Sequence, residues 1–462
     1  MCGIFGAAGI RDAAQLAYLG LYALQHRGQE SAGIVAVDVE GQARAHRGMG
    51  LVNDVFSSDV LRGLRGDIAI GHTRYSTTGS SVLANAQPGL VNYHGGALAL
   101  AHNGNLTNAV EVREDLVRQG SIFQSSSDSE VLVHLIARSD ARAVEDQILD
   151  ALERVEGAYS LLLTVGRTLY AIVDPRGFRP LVLGRLGAGW ILASETCALD
   201  IVGAQRVREI EPGEWIRIED GRVTELPRLQ ARPHRRCVFE LIYFSRPDST
   251  IFGRSVDRVR RALGHRLAEE HPAPGADCVF SVPDSANAMA LGFSETSGLK
   301  LEHGLIRNHY VGRTFINPGQ AARVAKVRIK FNPVPEVIAG RSVVVVDDSL
   351  VRGTTSRELV QMLRQAGARE VHFRLASPPI TGPCFYGIDT PTRGELIASS
   401  HSVEQIRAHL GVDSLGYLSL EGMLEAAGPN DRYCHACFSG QYPTPVPDPR
   451  AAESALSLSG TS

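Results

Sequence analysis

Two patterns of hydrophobic and polar positions divide the chain. Through the first half, short apolar runs alternate with turn signals. Ser160 to Val165 followed by Gly166, and Thr168 to Val173 followed by Asp174, read as neighbouring strands of a hairpin-rich antiparallel sheet. Other stretches have helical spacing. From Glu130 to Arg138, Val131, Leu132, Leu135 and Ile136 fall on one face, with Ser127 and Asp128 as candidate caps. The first half is therefore expected to be α+β, its sheets covered by helices. Pro227, Pro233 and arginines 228, 232, 235 and 236 mark a change of composition. Beyond them the apolar runs become continuous: Asp277 to Val282, and Ser342 to Val346 running into Asp347. Continuous valine-rich runs suit a parallel sheet buried on both faces, so the second half reads as α/β. The boundaries expected are 2–232, 233–441 and a Pro-, Ala- and Ser-rich tail, 442–462, with little to bury and so disordered.

Composition changes this picture little. The 462 residues are 44% hydrophobic and 21% charged, and the net charge is −3. The balance gives no reason to expect a nucleic-acid surface. No apolar run is long enough to span a bilayer, and the start lacks a basic n-region, so the expected location is cytoplasmic. The seven cysteines (2, 197, 237, 278, 384, 434 and 437) are odd in number and scattered, which argues against a disulfide framework. Nucleophile, metal ligand and core residue remain as roles, and mid-strand Cys278 suits the core.

Cys2 follows Met1 directly. If Met1 is removed, thiol and α-amine share one residue, and the amine can act as base for the thiol. Alone, such a cysteine is equally an incidental residue or a lipidation site, although the myristoylation pattern is absent. Its context is more telling. Polar motifs follow strand-like runs in the order His26-Arg27-Gly28-Gln29-Glu30-Ser31-Ala32-Gly33, His72-Thr73-Arg74-Tyr75-Ser76-Thr77, His102-Asn103-Gly104-Asn105 and Ser127-Asp128-Ser129-Glu130. With Met1-Cys2-Gly3-Ile4-Phe5-Gly6, they resemble the class II glutamine amidotransferase domain, an N-terminal-nucleophile hydrolase with an αββα sandwich. The resemblance implies that Cys2 attacks the glutamine amide and forms a thioester, while Asn103 and Gly104 supply the oxyanion hole. It implies further that Arg74 and Asp128 bind the α-carboxylate and α-ammonium of glutamine, with Arg27 and Gly28 also in the glutamine site. For Arg74 and Asp128 taken alone, an ordinary ion pair is the simpler reading.

In the second half, Val343 to Val346 leads into Asp347-Asp348-Ser349-Leu350-Val351-Arg352-Gly353-Thr354-Thr355-Ser356. A helix is expected next, with Leu359, Leu363 and Ala366 on one face and Gly367 as its stop. A loop at the carboxyl end of a parallel strand is where α/β folds bind ligands. Gly353 allows close backbone approach to a phosphate, the hydroxyls and helix N-terminus are anion donors, and paired carboxylates suit ribose hydroxyls or Mg²⁺. The bland reading of Asp-Asp here is a turn before a capped helix.

The string resembles the phosphoribosylpyrophosphate (PRPP) motif of type I phosphoribosyltransferases. Val282-Pro283-Asp284-Ser285 resembles that family's pyrophosphate-side loop, and Tyr310 to Ile316 its lid over PRPP. His309 and Val327-Arg328-Ile329-Lys330 depart from the pattern. The resemblance implies PRPP contacts from Ser285, Tyr310, Asp347, Asp348, Ser349, Arg352, Gly353, Thr354, Thr355 and Ser356. It also implies one Mg²⁺ per subunit at Ser285, Asp347 and Asp348.

Cys434-His435-Ala436-Cys437 is by itself a zinc knuckle half, a redox pair or chance. Together, the two halves resemble the glutamine PRPP amidotransferases. In the Bacillus-like branch of that family, cysteines in the contexts of Cys237, Cys384, Cys434 and Cys437 hold a [4Fe–4S] cluster, one per subunit. The implied activity is pentosyl transfer: glutamine, PRPP and water to 5-phosphoribosylamine, glutamate and pyrophosphate, opening purine synthesis. Ammonia would pass internally from Cys2 to the ribose. A homotetramer inhibited by purine nucleotides is implied too. The alternatives are a glutaminase whose second domain senses PRPP without catalysis, and a PRPP-binding transcription regulator. The balanced charge and the lack of a basic helix-turn-helix count against the regulator.

Overall fold

The computed structural model describes residues 1–75, 80–308, 327–390, 392–428 and 430–446. Two antiparallel sheets are stacked in the first half. The seven-stranded one runs Gln205–Glu209, Val182–Leu186, Gly189–Ala193, Gly3–Ala8, Ile68–Arg74, Ser31–Val37, Ala43–Met49. The six-stranded one runs Arg222–Glu225, Trp215–Glu219, Thr168–Val173, Gly157–Val165, Gly96–Leu106, Gly89–Tyr93. Strand alternation sorts the residues. Ile4 and Ala8 face the second sheet and meet Leu162, Ala171 and Ile216, while Phe5 and Ala7 face outward to the helix Ala13–Ala23. The outer face of the second sheet is covered by the helices Ala109–Arg118, Glu130–Arg138 and Val144–Glu153. The result is the αββα sandwich. Both faces are covered, which is why these antiparallel strands read as nearly continuous apolar runs.

The second half is built on a five-stranded parallel sheet in the order Lys300–Leu301, Cys278–Ser281, Ser342–Asp347, Glu370–Leu375, Ser414–Tyr417. Val344 and Val346 pack on one side with the helices Val256–Glu270 and Asn287–Ser297; Val343 and Val345 pack on the other with the helix Thr354–Gln365. Chain crossing ties the halves together. Met1 is buried in the core of the second half, while Gly3–Ala8 is a central strand of the first.

Three expectations need correction. Neither Ser127 nor Asp128 caps Glu130–Arg138, whose N-cap is Ser129 without a side-chain bond. The Asp128 carboxylate instead accepts from the N–H of Leu106, 2.9 Å away. Two of the polar motifs of the first half do not follow strands but lie in them: His72 to Arg74 end Ile68–Arg74 and His102 to Asn105 fall inside Gly96–Leu106, whereas His26 to Glu30 and Ser127 to Ser129 lie outside strands. Gly96–Leu106 contains His102 to Asn105, because its ladder with Gly157–Val165 continues past the last apolar residue. The tail begins later than composition suggests. Thr444 is buried and its hydroxyl lies 3.0 Å from that of Tyr386, and Tyr442 donates to the Pro383 carbonyl at 2.7 Å. Residues 447–462 lie outside the described residues.

Candidate active site

Cys2 is buried just before the central strand Gly3–Ala8. Its backbone N–H donates to Asn103 Oδ1 at 3.3 Å, and its thiol points at the Tyr75 carbonyl at 3.7 Å. Asn103 Nδ2 is buried and has no hydrogen-bond partner among the described residues. A buried amide donor left unpaired is costly, and it marks a place where an external acceptor is awaited. Gly104 follows with φ +153, and a Cβ there would lie 2.0 Å from the Ala158 carbonyl oxygen, so only glycine fits. The Met1 α-amine, which removal of Met1 would take away, is pushed from 8.0 down to about 6. Burial is the main cause, and Arg179 and Arg27 also act in that direction.

Arg74 ends the strand Ile68–Arg74; it is nearly buried, donates to the Ser80 carbonyl at 3.2 Å and lies 3.5 Å from Glu30. Asp128 lies 3.6 Å from His102, the residue preceding Asn103. Gly28 packs its backbone on that of Arg74, where a Cβ would meet the Thr73 carbonyl oxygen at 2.6 Å. Arg27 departs from expectation. It is wholly buried, and its guanidinium is engaged by Glu195, Glu240 and the Cys2 carbonyl, so it is not offered to a ligand. Ser76 and Thr77 lie outside the described residues.

The second cluster stands at the carboxyl ends of the parallel strands. Ser285 donates to Asp348 at 2.5 Å, which joins the two loops expected to share PRPP. Ser349 donates to the other oxygen of Asp348, also at 2.5 Å. Burial, followed by repulsion from Asp348, raises the Asp347 carboxyl well above its ordinary 3.8; Asp348 is raised chiefly by burial. A divalent cation would relieve both, so the donor set of two carboxylates and a hydroxyl fits Mg²⁺. Lys330, in the segment that departs from the family pattern, acts electrostatically on both carboxylates. Gly353 has φ +77 and caps the helix Thr354–Gln365, with Thr354 and Thr355 exposed and Ser356 buried. Arg352 is exposed and lies 3.1 Å from Glu395. Tyr310 and the rest of the expected lid lie outside the described residues.

Asp389, which sequence reasoning passed over, hydrogen-bonds Tyr75 and is influenced by both the N-terminal amine and Arg352.

Cys237, Cys384, Cys434 and Cys437 all carry free thiols. The parallel pair Arg236–Cys237 and Tyr433–Cys434 sets Cys237 opposite Cys434. The Cys437 carbonyl accepts from Thr381 and Gly382, bringing the Cys384 loop alongside. Burial first, then mutual repulsion, raises the Cys437 thiol; Cys237 is pushed up to about 11, again chiefly by burial. Among the described residues, no three His, Cys, Asp or Glu side chains are set to hold a single metal ion. Four thiols drawn from three segments have the donor chemistry for an iron–sulfur cluster or for zinc.

A buried Cys2 beside Asn103 and its unpaired amide nitrogen in an αββα sandwich, joined to an acidic-pair loop on a parallel sheet, defines a glutamine amidotransferase fused to a phosphoribosyltransferase fold. Residues 72–200 match the model of the glutamine amidotransferase domain. The chain is 51% identical to the amidophosphoribosyltransferase of Bacillus subtilis over 96% of this chain and 94% of that one. It is 47% identical to the enzyme of that name from Methanothermobacter thermautotrophicus, over 93% and 91%. The solved B. subtilis glutamine PRPP amidotransferase complexed with ADP and GMP superimposes with a TM-score of 0.91, at 50% identity, covering 97% of this chain and 98% of that one. The chain belongs to the amidophosphoribosyltransferase family and is a glutamine-dependent transferase.

Proposed function

We propose that the protein converts glutamine, PRPP and water to 5-phosphoribosylamine, glutamate and pyrophosphate, the first committed step of purine synthesis. The observation that carries this reading is the unpaired Asn103 amide beside Cys2 in a chain that also holds the Ser285–Asp348 contact. Once Met1 is removed, the Cys2 amine takes the thiol proton and Sγ attacks the glutamine amide carbon. Asn103 Nδ2 and the Gly104 N–H receive the oxyanion. Ammonia leaves with that proton, and water releases glutamate from the thioester. Arg74 and Asp128 hold the amino-acid end of glutamine, helped by the shape that Gly28 gives the site. Ammonia passes internally to the anomeric carbon of PRPP as pyrophosphate departs. The loop Ser349 to Ser356 holds the 5-phosphate end, and Tyr310 belongs to the cover.

Mg²⁺ held by Ser285, Asp347 and Asp348 would neutralise charge on pyrophosphate. A [4Fe–4S] cluster on Cys237, Cys384, Cys434 and Cys437 would have a structural role. Purine nucleotides are proposed as inhibitors and a cytoplasmic homotetramer as the working form. A cleft of about 280 Å³ lies beside the pyrophosphate-side loop, lined by Ser281, Asn287, His303 and Arg307.

Glutamate and pyrophosphate release from protein purified without air, given glutamine and Mg²⁺ with and without PRPP, tests the reading. Joint, PRPP-dependent release of both products supports it. Glutamate at an unchanged rate without PRPP, and no pyrophosphate, makes the protein a glutaminase with a sensing second domain.

A further inference from the structure

Between the two halves lies a buried ionic network that the reaction scheme above leaves idle. Arg27 Nε donates to the carbonyl oxygen of Cys2 at 2.9 Å. Its Nη1 donates to Glu195 at 2.6 Å and to Glu240 at 3.0 Å, and its Nη2 to Glu240 at 2.7 Å. Arg27 and Glu195 belong to the first half. Glu240 belongs to the second, on the short helical segment Glu240–Phe244, and is itself wholly buried. It also accepts from the Ser245 hydroxyl at 3.0 Å and from Arg179 Nη1 at 3.3 Å. Burial works against its ionisation, yet Arg27 and Arg179 hold its carboxyl below the ordinary range.

A buried ion pair is weak evidence of a contribution to stability, since apolar residues of similar volume often serve as well. This one has a direction. It runs from the second half through a planar, two-pronged guanidinium to the backbone of the residue that bears the nucleophile, and a bidentate pair fixes orientation as well as charge. We propose that Glu240 is a positioning residue for glutamine cleavage: it sets the Arg27 guanidinium, which sets the Cys2 backbone and so the aim of the thiol beside Asn103. The proposal rests on Cys2 being the nucleophile.

The test uses full-length protein purified without air. Glutamate release is followed against glutamine concentration in the presence of PRPP. Pyrophosphate release is followed separately with an ammonium salt as nitrogen donor, which bypasses Cys2. Glu240→Gln keeps the shape and removes the charge; Glu240→Asp keeps the charge and shortens the reach. The expected result for Glu240→Gln is a fall in the glutamate kcat of roughly 10- to 100-fold. The KM for glutamine should stay within about twofold, and the ammonium-driven rate should be that of the parent. Glu240→Asp should fall between. An unchanged glutamate kcat, or an ammonium-driven rate that drops in parallel, overturns the proposal. Where Glu240→Gln fails to fold, Glu240→Asp decides alone, and a parental kcat in it is equally fatal. A parent protein that makes phosphoribosylamine from ammonium but releases no glutamate would overturn the nucleophile reading itself, and the proposal with it.

Discussion

Asn103 occupies the most informative position at the residue scale, because one end of its amide is used and the other is not. Asn103→Ala is expected to lower the glutamate kcat by about 10²–10³-fold, the usual loss for one oxyanion donor, with little change in the KM for glutamine. A raised KM with unchanged kcat would assign the amide to substrate binding instead. The α-amine offers a second prediction. The Cys2 nitrogen is buried and donates to Asn103 Oδ1, so once Met1 is gone the amine left there is shielded from water, and burial disfavours its charged form. The acid limb of kcat/KM for glutamate release should therefore have its midpoint below about 8.0, the value of a free terminus. A midpoint at or above that value means the amine is not the base. Cys2, Asn103, Gly104 and the Asp347–Asp348 pair were legible as candidates from their motifs, and the structure sets Cys2 beside Asn103 and Asp348 beside Ser285. The place of Arg27 was not legible, because a sequence shows a guanidinium's donors and not its acceptors. Its partner had left a trace, a single glutamate inside Val238-Phe239-Glu240-Leu241-Ile242, where an unpaired charge would not be tolerated.

At the scale of elements, the valine strand and its loop carry the second chemistry and also a stability cost. Burial and Asp348 hold the Asp347 carboxyl above 3.8, so the folded chain retains a proton that the unfolded chain has given up. Stability contributed below that ordinary value is then lost as pH rises through the folded titration. Asp347→Asn should remove this loss and raise the neutral-pH stability of the ligand-free protein by on the order of 1 kcal/mol. Pyrophosphate release should be abolished. Thermal melts across pH check the first part, and a melting temperature that falls at neutral pH would show that the pair is not strained. Strand identity was legible from apolar runs, but strand ends were not. Ladder pairing of Asn103 with Ser160 and of Gly104 with Tyr159 carries the strand through polar residues that a hydrophobicity pattern reads as loop.

The whole molecule adds what neither motif contains. Four cysteines from three distant segments are drawn together by a two-residue parallel pairing and the Thr381–Cys437 contact. If they hold iron, protein purified without air should contain four irons and four sulfides per chain, and Cys437→Ser should lose them and melt at a lower temperature. Parent protein stripped of iron should melt where the variant does; an iron-free parent of undiminished stability would remove the cluster from the account. A change in composition marks the boundary expected near residue 232. The contacts across it were not visible, since pairings such as Arg27 with Glu240 have no local signature.

The backing of Gly104 has one more consequence. The loop after Cys384 presses so closely that a Cβ on Gly387 would lie 2.7 Å from the Gly104 carbonyl oxygen, while Asn105 donates to the Phe385 carbonyl at 3.0 Å. The wall behind Asn103 and Gly104 is thus supplied from the second half of the polypeptide. Amidotransferase modules can in principle be traded between enzymes as self-sufficient ammonia generators. Cut away at residue 232, this one would keep every residue of its motifs and lose that wall and the Asn105–Phe385 hydrogen bond.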